Sequence, residues 1–293
     1  MTGAERTFVR RLALLVSFEV RKLVARRLPV VAFVLVLLVA LVAPTVGHVV
    51  DSASALMSGK TAKVDKFANG WTALAGSVTT ARPFVVLVLL VLASSTVAEE
   101  AAHGTLRALL VRPVRRGEVL AAKALACWGY AVLLLVAVVL AALAGGELTR
   151  GLYDITDPDY VERTKHTFGA MLRFVAIATA LSLPPLLAFT GLGLLISTLM
   201  DHAGHATGAA VGALFVLSAA AGLLDPEQGR FVFVSYASFP FEVVSDLANQ
   251  FSGQLDRFKA PFIQQSVLVC LGWAALLFGA SGLIFARRDI SGS

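Results

Sequence analysis

Six long apolar runs constrain this chain more than any other feature. They extend from Pro29 to Val50, Pro83 to Ala98, Val119 to Ala144, Ala170 to Leu199, Ala206 to Leu224 and Phe262 to Ala286. About 20 mostly apolar residues are enough to cross the hydrocarbon of a bilayer as a helix. Within lipid a helix satisfies every backbone N–H and C=O internally, which an open strand cannot do. The runs therefore predict an all-α membrane protein with six transmembrane helices and no sizeable soluble domain between them. The second run is the shortest, and Val78 to Ala81 can extend it. Composition agrees: 57% of the residues are hydrophobic, 15% are charged, and mean hydropathy is +0.80. That excludes a disordered chain. Two cysteines, Cys127 and Cys270, are too few for a disulfide scaffold and sit inside apolar runs as small hydrophobes. A secretory leader is a rival reading of the first run. It is set aside because the run is long enough to span and cleavage after Ala43 would leave Pro44 next.

The net charge is +6, and its distribution matters more than its sum. If the N-terminus is cytoplasmic, that side carries Arg6, Arg10, Arg11, Arg21, Lys22, Arg26 and Arg27 before the first span. It also carries Arg107, Arg112, Arg115, Arg116 and Lys123 in the second connection, and Arg287 and Arg288 at the end. The connection Gly145–Gly169 is acidic through Glu147, Asp154, Asp157, Asp159 and Glu162. The positive-inside rule then places both termini in the cytoplasm of a multi-pass cell-membrane protein. Lys60, Lys63 and Lys66 fall on the outer side, partly offset by Asp51 and Asp65. The expected partners are lipid and other membrane subunits, not nucleic acid.

Seven basic residues prevent Glu5 to Leu28 from spanning. The segment instead reads as a basic amphipathic helix, with a stripe of Val9, Leu12, Val16, Val20, Leu23 and Val24 and with Arg6, Arg10, Arg21 and Lys22 off that stripe. Such a helix lies in the membrane interface with its cations near anionic headgroups.

Several chemistries lack their residues. The chain has no His-Glu-x-x-His zinc helix and no Gly-x-Ser-x-Gly elbow. Ion-coupled carriers keep carboxylates within their spans, where a charge costs about 2.5–3.5 kcal/mol on insertion scales. The runs as bounded above place no Asp, Glu, Lys or Arg mid-span. Ser58-Gly59-Lys60-Thr61 resembles the tail of a phosphate-binding loop, but Ser54 stands where the motif needs glycine and no strand precedes it. The chain is expected to carry no catalytic site, metal or cofactor of its own. Asp201-His202-Ala203-Gly204-His205 reads as a polar turn between the fourth and fifth spans, since three residues do not close a metal site.

The stretch after the second span is the most informative. Glu99 and Glu100 lie near the membrane edge, Gly104 permits a bend, and Thr105 can cap a new helix. Leu106, Leu109 and Leu110 form an apolar ridge, Pro113 ends it, and Arg115 and Arg116 follow. On physical grounds this is either a docking knob for another protein or a charged connector. The segment resembles the cytoplasmic signature of the ATP-binding-cassette type-2 permeases: Glu, three residues, Gly-Thr, leucines, Pro, Arg, and a later Lys. Glu100, Gly104, Thr105, Leu109, Leu110, Pro113, Arg115 or Arg116, and Lys123 fit it. Glu19, Lys22 and Arg26 lie in a segment that resembles the family's interfacial elbow helix, and Arg287-Arg288-Asp289 resembles its tail.

The resemblance implies an ATP-driven export permease. Residues Glu100 to Pro113 would be the coupling helix that docks on a separately encoded ABC ATPase subunit, and the partner would hold ATP and Mg. Asp201, His202 and His205 would make a second, smaller contact. The permease would pair with a second permease subunit, identical or not, through the fifth span. There Gly204, Gly208 and Gly212, spaced by four, allow close helix approach. On the residues alone, packing against another span of the same chain serves those glycines equally well. Other classes remain in view: a regulatory subunit that docks an ATPase without transporting, or an intramembrane enzyme.

The expected organisation is an interfacial helix over 1–28, a six-helix domain over 29–286 and a tail over 287–293. The coupling segment is 99–118, and the outer connections are 51–80, 145–169 and 225–261. Pro184-Pro185 should interrupt the fourth span. Thr179, Ser182, Thr190, Ser197 and Thr198 either line a pathway or bond to their own helix. Pro240 to Phe251 is expected to form a short outer helix.

Overall fold

A computed structural model describes the backbone of residues 3–57, 69–103, 116–156, 164–249 and 260–287, and their side chains except at 3–8, 47–57, 226 and 227. Its helices are α1 (Gly3–Ala25), α2 (Arg27–Met57), α3 (Gly70–Ala102), α4 (Arg116–Arg150), α5 (Phe168–Leu181), α6 (Leu183–Leu199), α7 (Ala203–Leu223), a single turn α8 (Pro226–Gly229), α9 (Phe239–Ala248) and α10 (Ala260–Arg287). Two short antiparallel strands, β1 (Ile155–Thr156) and β2 (Thr164–His166), lie between α4 and α5. Six helical stretches are long and apolar enough to cross a membrane: α2, α3, α4, the α5–α6 pair, α7 and α10. They are the six expected from the sequence, and apart from that short two-stranded ribbon the described elements are helical.

The centre of the bundle is α3, which packs against α2, α4, α6, α7 and α9. Its buried face runs from Trp71 through Leu74, Val78, Val85, Leu89 and Leu92 to Val97. At its start, Asn69 closes a capping box with Thr72 and donates from Nδ2 to the Ala248 carbonyl of α9. Gly70 donates its N–H to the Gly151 carbonyl at 3.0 Å. A Cβ on Gly70 would stand 2.3 Å from that oxygen, and one on Gly146 would stand 2.6 Å from the Gly70 carbonyl oxygen. The two helices meet there backbone to backbone, a separation that only glycine permits. The indole of Trp71 donates to the Tyr153 carbonyl.

The interruption of the fourth span falls at Ser182. There α5 ends and α6 begins with both prolines in its first turn, where their missing N–H groups cost least. Thr179, Ser182, Thr190 and Thr198 each donate to a carbonyl of their own span. Ser197 differs: its Oγ accepts from the N–H groups of Val97 and Ala98 on α3. The expected outer helix is α9, bounded a little earlier than 240–251. It packs on α3 and α5, under an aromatic cluster of Tyr236, Phe239 and Phe262.

One expectation is corrected. Because α3 starts at Gly70 rather than Pro83, Arg82 is inside a spanning helix and not at its edge. Lys123 is likewise inside α4 and 1% exposed. The apolar stripe is long enough to hide both because neighbouring helices supply their polar partners or surroundings.

Candidate functional site

The residues 104–115 leave from the end of α3 and return into α4. A cluster of charges ties those two helix ends to α1. On α1, the positions Leu12, Leu15, Val16, Glu19, Lys22 and Leu23, and Arg26 just past its end, recur at helical spacing and face the protein, whereas Val9, Val20 and Val24 of the apolar stripe are exposed. The packed face is therefore partly charged, and the apolar stripe is split: Leu12, Val16 and Leu23 face the bundle, and Val9, Val20 and Val24 look away from it. Of the cations expected near lipid headgroups, Lys22 is instead turned to carboxylates of the same chain, while Arg10 and Arg21 are exposed.

Four side chains close a ring of alternating charge. Lys123 of α4 donates to Glu100 of α3 at 2.7 Å and to Glu19 of α1 at 3.2 Å. Lys22 of α1 donates to Glu100 at 2.5 Å and to Glu19 at 3.3 Å. Each ammonium thus bonds both carboxylates. The third N–H of Lys123 reaches the Thr96 carbonyl at 3.4 Å, so its three donors are all used. Lys22 also lies over the Phe18 ring, 4.7 Å from its centre. The ring is buried: the side-chain exposures of Lys123, Glu100 and Glu19 are 1%, 8% and 10%. Charges at this depth persist only when paired and hydrogen-bonded, and here two positive and two negative groups balance. Burial pulls the Lys22 ammonium toward neutrality, but the Glu100 and Glu19 carboxylates outweigh it and hold its pKa above the ordinary lysine value. A raised lysine pKa gives stability that is complete below the unfolded value and lost only as pH climbs through the folded one. The Lys22 contribution to the ring is therefore complete at neutral pH and is lost in strong alkali.

Two outer pairs flank the ring. Arg26 meets Glu99 at 2.7 Å, and Arg11 approaches Glu118 at 4.0 Å. Arg116, expected to face an ATPase, donates to the Phe285 and Ala286 carbonyls at the end of α10. It thereby fastens the last turn of the final span to the first turn of α4, a cation at a helix C-terminus.

Of the remaining expected site residues, Gly104, Thr105, Leu106, Leu109, Leu110, Pro113 and Arg115 lie outside the described residues. Glu19, Lys22, Arg26, Glu100 and Arg116 come together at one end of the bundle. Asp201 and His202 fall in the short turn before α7, with His205 in its first turn and the His202 and His205 rings edge to face at 5.4 Å. No group of three or more His, Cys, Asp or Glu residues that could hold a metal ion occurs among the described residues. Gly204, Gly208 and Gly212 line an exposed face of α7, and a Cβ added at any of them meets nothing within 4 Å. Packing against another described span of the same chain is thereby removed as their explanation.

Sequence reading takes Lys123 as a basic residue of the connection and of the signature, and misses its place in the cluster. Its partners come from two other helices, so only tertiary structure assembles the ring.

The family of ABC-2 family transporter proteins matches residues 14–290. No curated protein matches the chain. The family match runs over nearly the whole length and covers all six apolar helices, so the chain belongs to the ABC-2 transporter family and is a transmembrane permease of that class.

Proposed function

We propose that this chain is the membrane subunit of an ATP-driven exporter in the cell membrane, coupled to ATP hydrolysis on a separate ABC ATPase subunit through residues 100–113. The ATPase would hold ATP and Mg, and no residue of this chain would do covalent chemistry. The observation that carries the reading is the Glu19–Lys22–Glu100–Lys123 ring. It grips both helices from which the coupling segment hangs, together with the elbow helix α1. A displacement of that segment by a closing ATPase pair is passed to three elements at once. The interface side of the bundle would be cytoplasmic, with Asp201, His202 and His205 offering a second contact. The exposed glycine face of α7 supports pairing with a second permease subunit, since small residues give lipid-embedded helices their close contacts.

The test separates docking from transmission. In proteoliposomes carrying permease and ATPase, Lys123→Met should leave the ATPase bound and hydrolysing, while substrate export per ATP falls by about tenfold or more, the scale of one lost buried charge pair. Export per ATP equal to the wild type would remove the ring from the coupling path. A regulatory, non-transporting subunit predicts no export from the wild-type complex with any cargo.

A further inference from the structure

Between α1, α2 and α4 the bundle leaves a groove of about 540 Å³, within the range of about 300–1,000 Å³ found for ligand pockets. Its walls include Val20 and Val24 of α1, Val30 and Phe33 of α2, and Gly129 and Leu133 of α4. Among the described residues its only polar side chain is Tyr130, and that hydroxyl is already committed: it donates to the Pro29 carbonyl at 2.8 Å. The Tyr130 ring also meets Phe33 edge to face, so the α2 and α4 walls are tied together. A Cβ on Gly129 would meet nothing within 4 Å. No close packing calls for glycine there; what the missing side chain preserves is the open groove. Val20, Val24, Val30 and Leu133 are exposed, and in a membrane protein such surface faces hydrocarbon. Cations border the same walls. Arg21 precedes Val24 by three residues on α1, and Arg27 precedes Val30 by three on α2, so each shares a helix face with a wall residue. Both arginines are exposed, and neither is ion-paired among the described residues. Their neighbours Lys22 and Arg26 are spent on Glu100 and Glu99.

We infer that this groove holds an acyl chain of one anionic phospholipid from the surrounding bilayer, with the lipid phosphate at Arg21 and Arg27. An apolar groove of ligand size takes the chain, and the two unpaired guanidiniums match the phosphate in charge and fork geometry. Basic residues on an amphipathic helix and at the ends of spans are the usual means of holding anionic headgroups. The lipid is a structural ligand of α1: it seats the apolar flank of the helix whose charged flank the ring fastens. The inference needs the membrane placement of the chain and makes no use of ATP coupling.

The test is native mass spectrometry of the purified full chain, incubated in detergent with equal amounts of phosphatidylglycerol and phosphatidylcholine carrying the same acyl chains. The wild type should retain one phosphatidylglycerol per protomer, preferred over phosphatidylcholine by about tenfold or more, the scale of two cations near a phosphate. Gly129→Phe places a ring in the groove and should lower retention of both lipids by about tenfold or more. Its unfolding midpoint without lipid should not fall below that of the wild type, and Gly129→Leu repeats the test with a smaller side chain. The double variant Arg21→Gln/Arg27→Gln should hold the two lipids equally, at the wild-type level for phosphatidylcholine. Leu283→Phe, on an exposed face of α10, should behave as wild type. Equal retention of the two lipids by the wild type would overturn the proposal. So would phosphatidylglycerol held at the wild-type level by both Gly129 variants. A wild-type dimer that Gly129→Phe splits would give the groove to a second copy of the chain and overturn it too. Because no ATPase enters the assay, a failure here leaves the coupling reading standing, and a failure of the Lys123→Met test leaves this one standing.

Discussion

At one end of the α3–α4 pair, Gly70 and Gly146 bring two backbones into contact, and Gly70 donates to Gly151 at 3.0 Å. At the other end, Glu100 and Lys123 meet at 2.7 Å with two side chains of α1 completing the ring. A backbone contact at this distance has one register: any slide or tilt either collides or opens a gap in a packed interior. A ring in which every ion has two partners behaves differently. Each group can lengthen one bond while holding the other, so the helices shift without orphaning a charge. The glycine end is a stiff joint and the ionic end a compliant one. For a permease driven at the end of α3, as proposed above, that would be the useful order.

The comparison can be broken by removing the redundancy of the ring. Lys123→Met alone leaves both carboxylates paired with Lys22 and should cost about 1–3 kcal/mol. The double variant Lys22→Met/Lys123→Met orphans Glu19 and Glu100 together and should cost more than the two single changes summed, about 3–5 kcal/mol or above. Unfolding midpoints in detergent across the four-member cycle give the coupling term, and simple additivity would deny the ring. Next in size is Gly146→Leu at the stiff joint. The collision is with backbone, so the cost should lie at the upper end of overpacking, about 3 kcal/mol. The same cycle run with Glu100→Gln should show no coupling to it, since the two ends lie far apart. The smallest effect belongs to Arg26 and Glu99, each about a third exposed. Arg26→Ala should change stability by about 0–1 kcal/mol, and molar salt should cancel that difference. Hydrogen exchange at the start of α2 would register the loosening if it is confined to this end.

Sequence alone was enough for the architecture. Six apolar runs, an N-terminal helix too charged to span, the fourth-span break near Pro184-Pro185 and a short helix near Pro240 are all present in the structure. Each is a local property: length of apolar run, helical spacing or the missing N–H of proline. The expected docking residues Gly104 to Arg115 rested on resemblance. Arg116, the one basic residue of that set among the described residues, is held at the end of α10.

Hydrophobicity along the chain determined which segments cross lipid, because a helix satisfies its own backbone and needs no neighbour to do so. Only the tertiary structure decided what the charged residues do. Lys123 reads as a basic residue of the second connection until Glu19 and Glu100 arrive from two other helices, and Arg82 reads as a boundary residue until α3 proves to begin at Gly70. A charge within a bundle is stable or costly according to what stands within a few ångströms of it. Those neighbours are far away in the chain: Glu19 and Lys123 are separated by 104 residues.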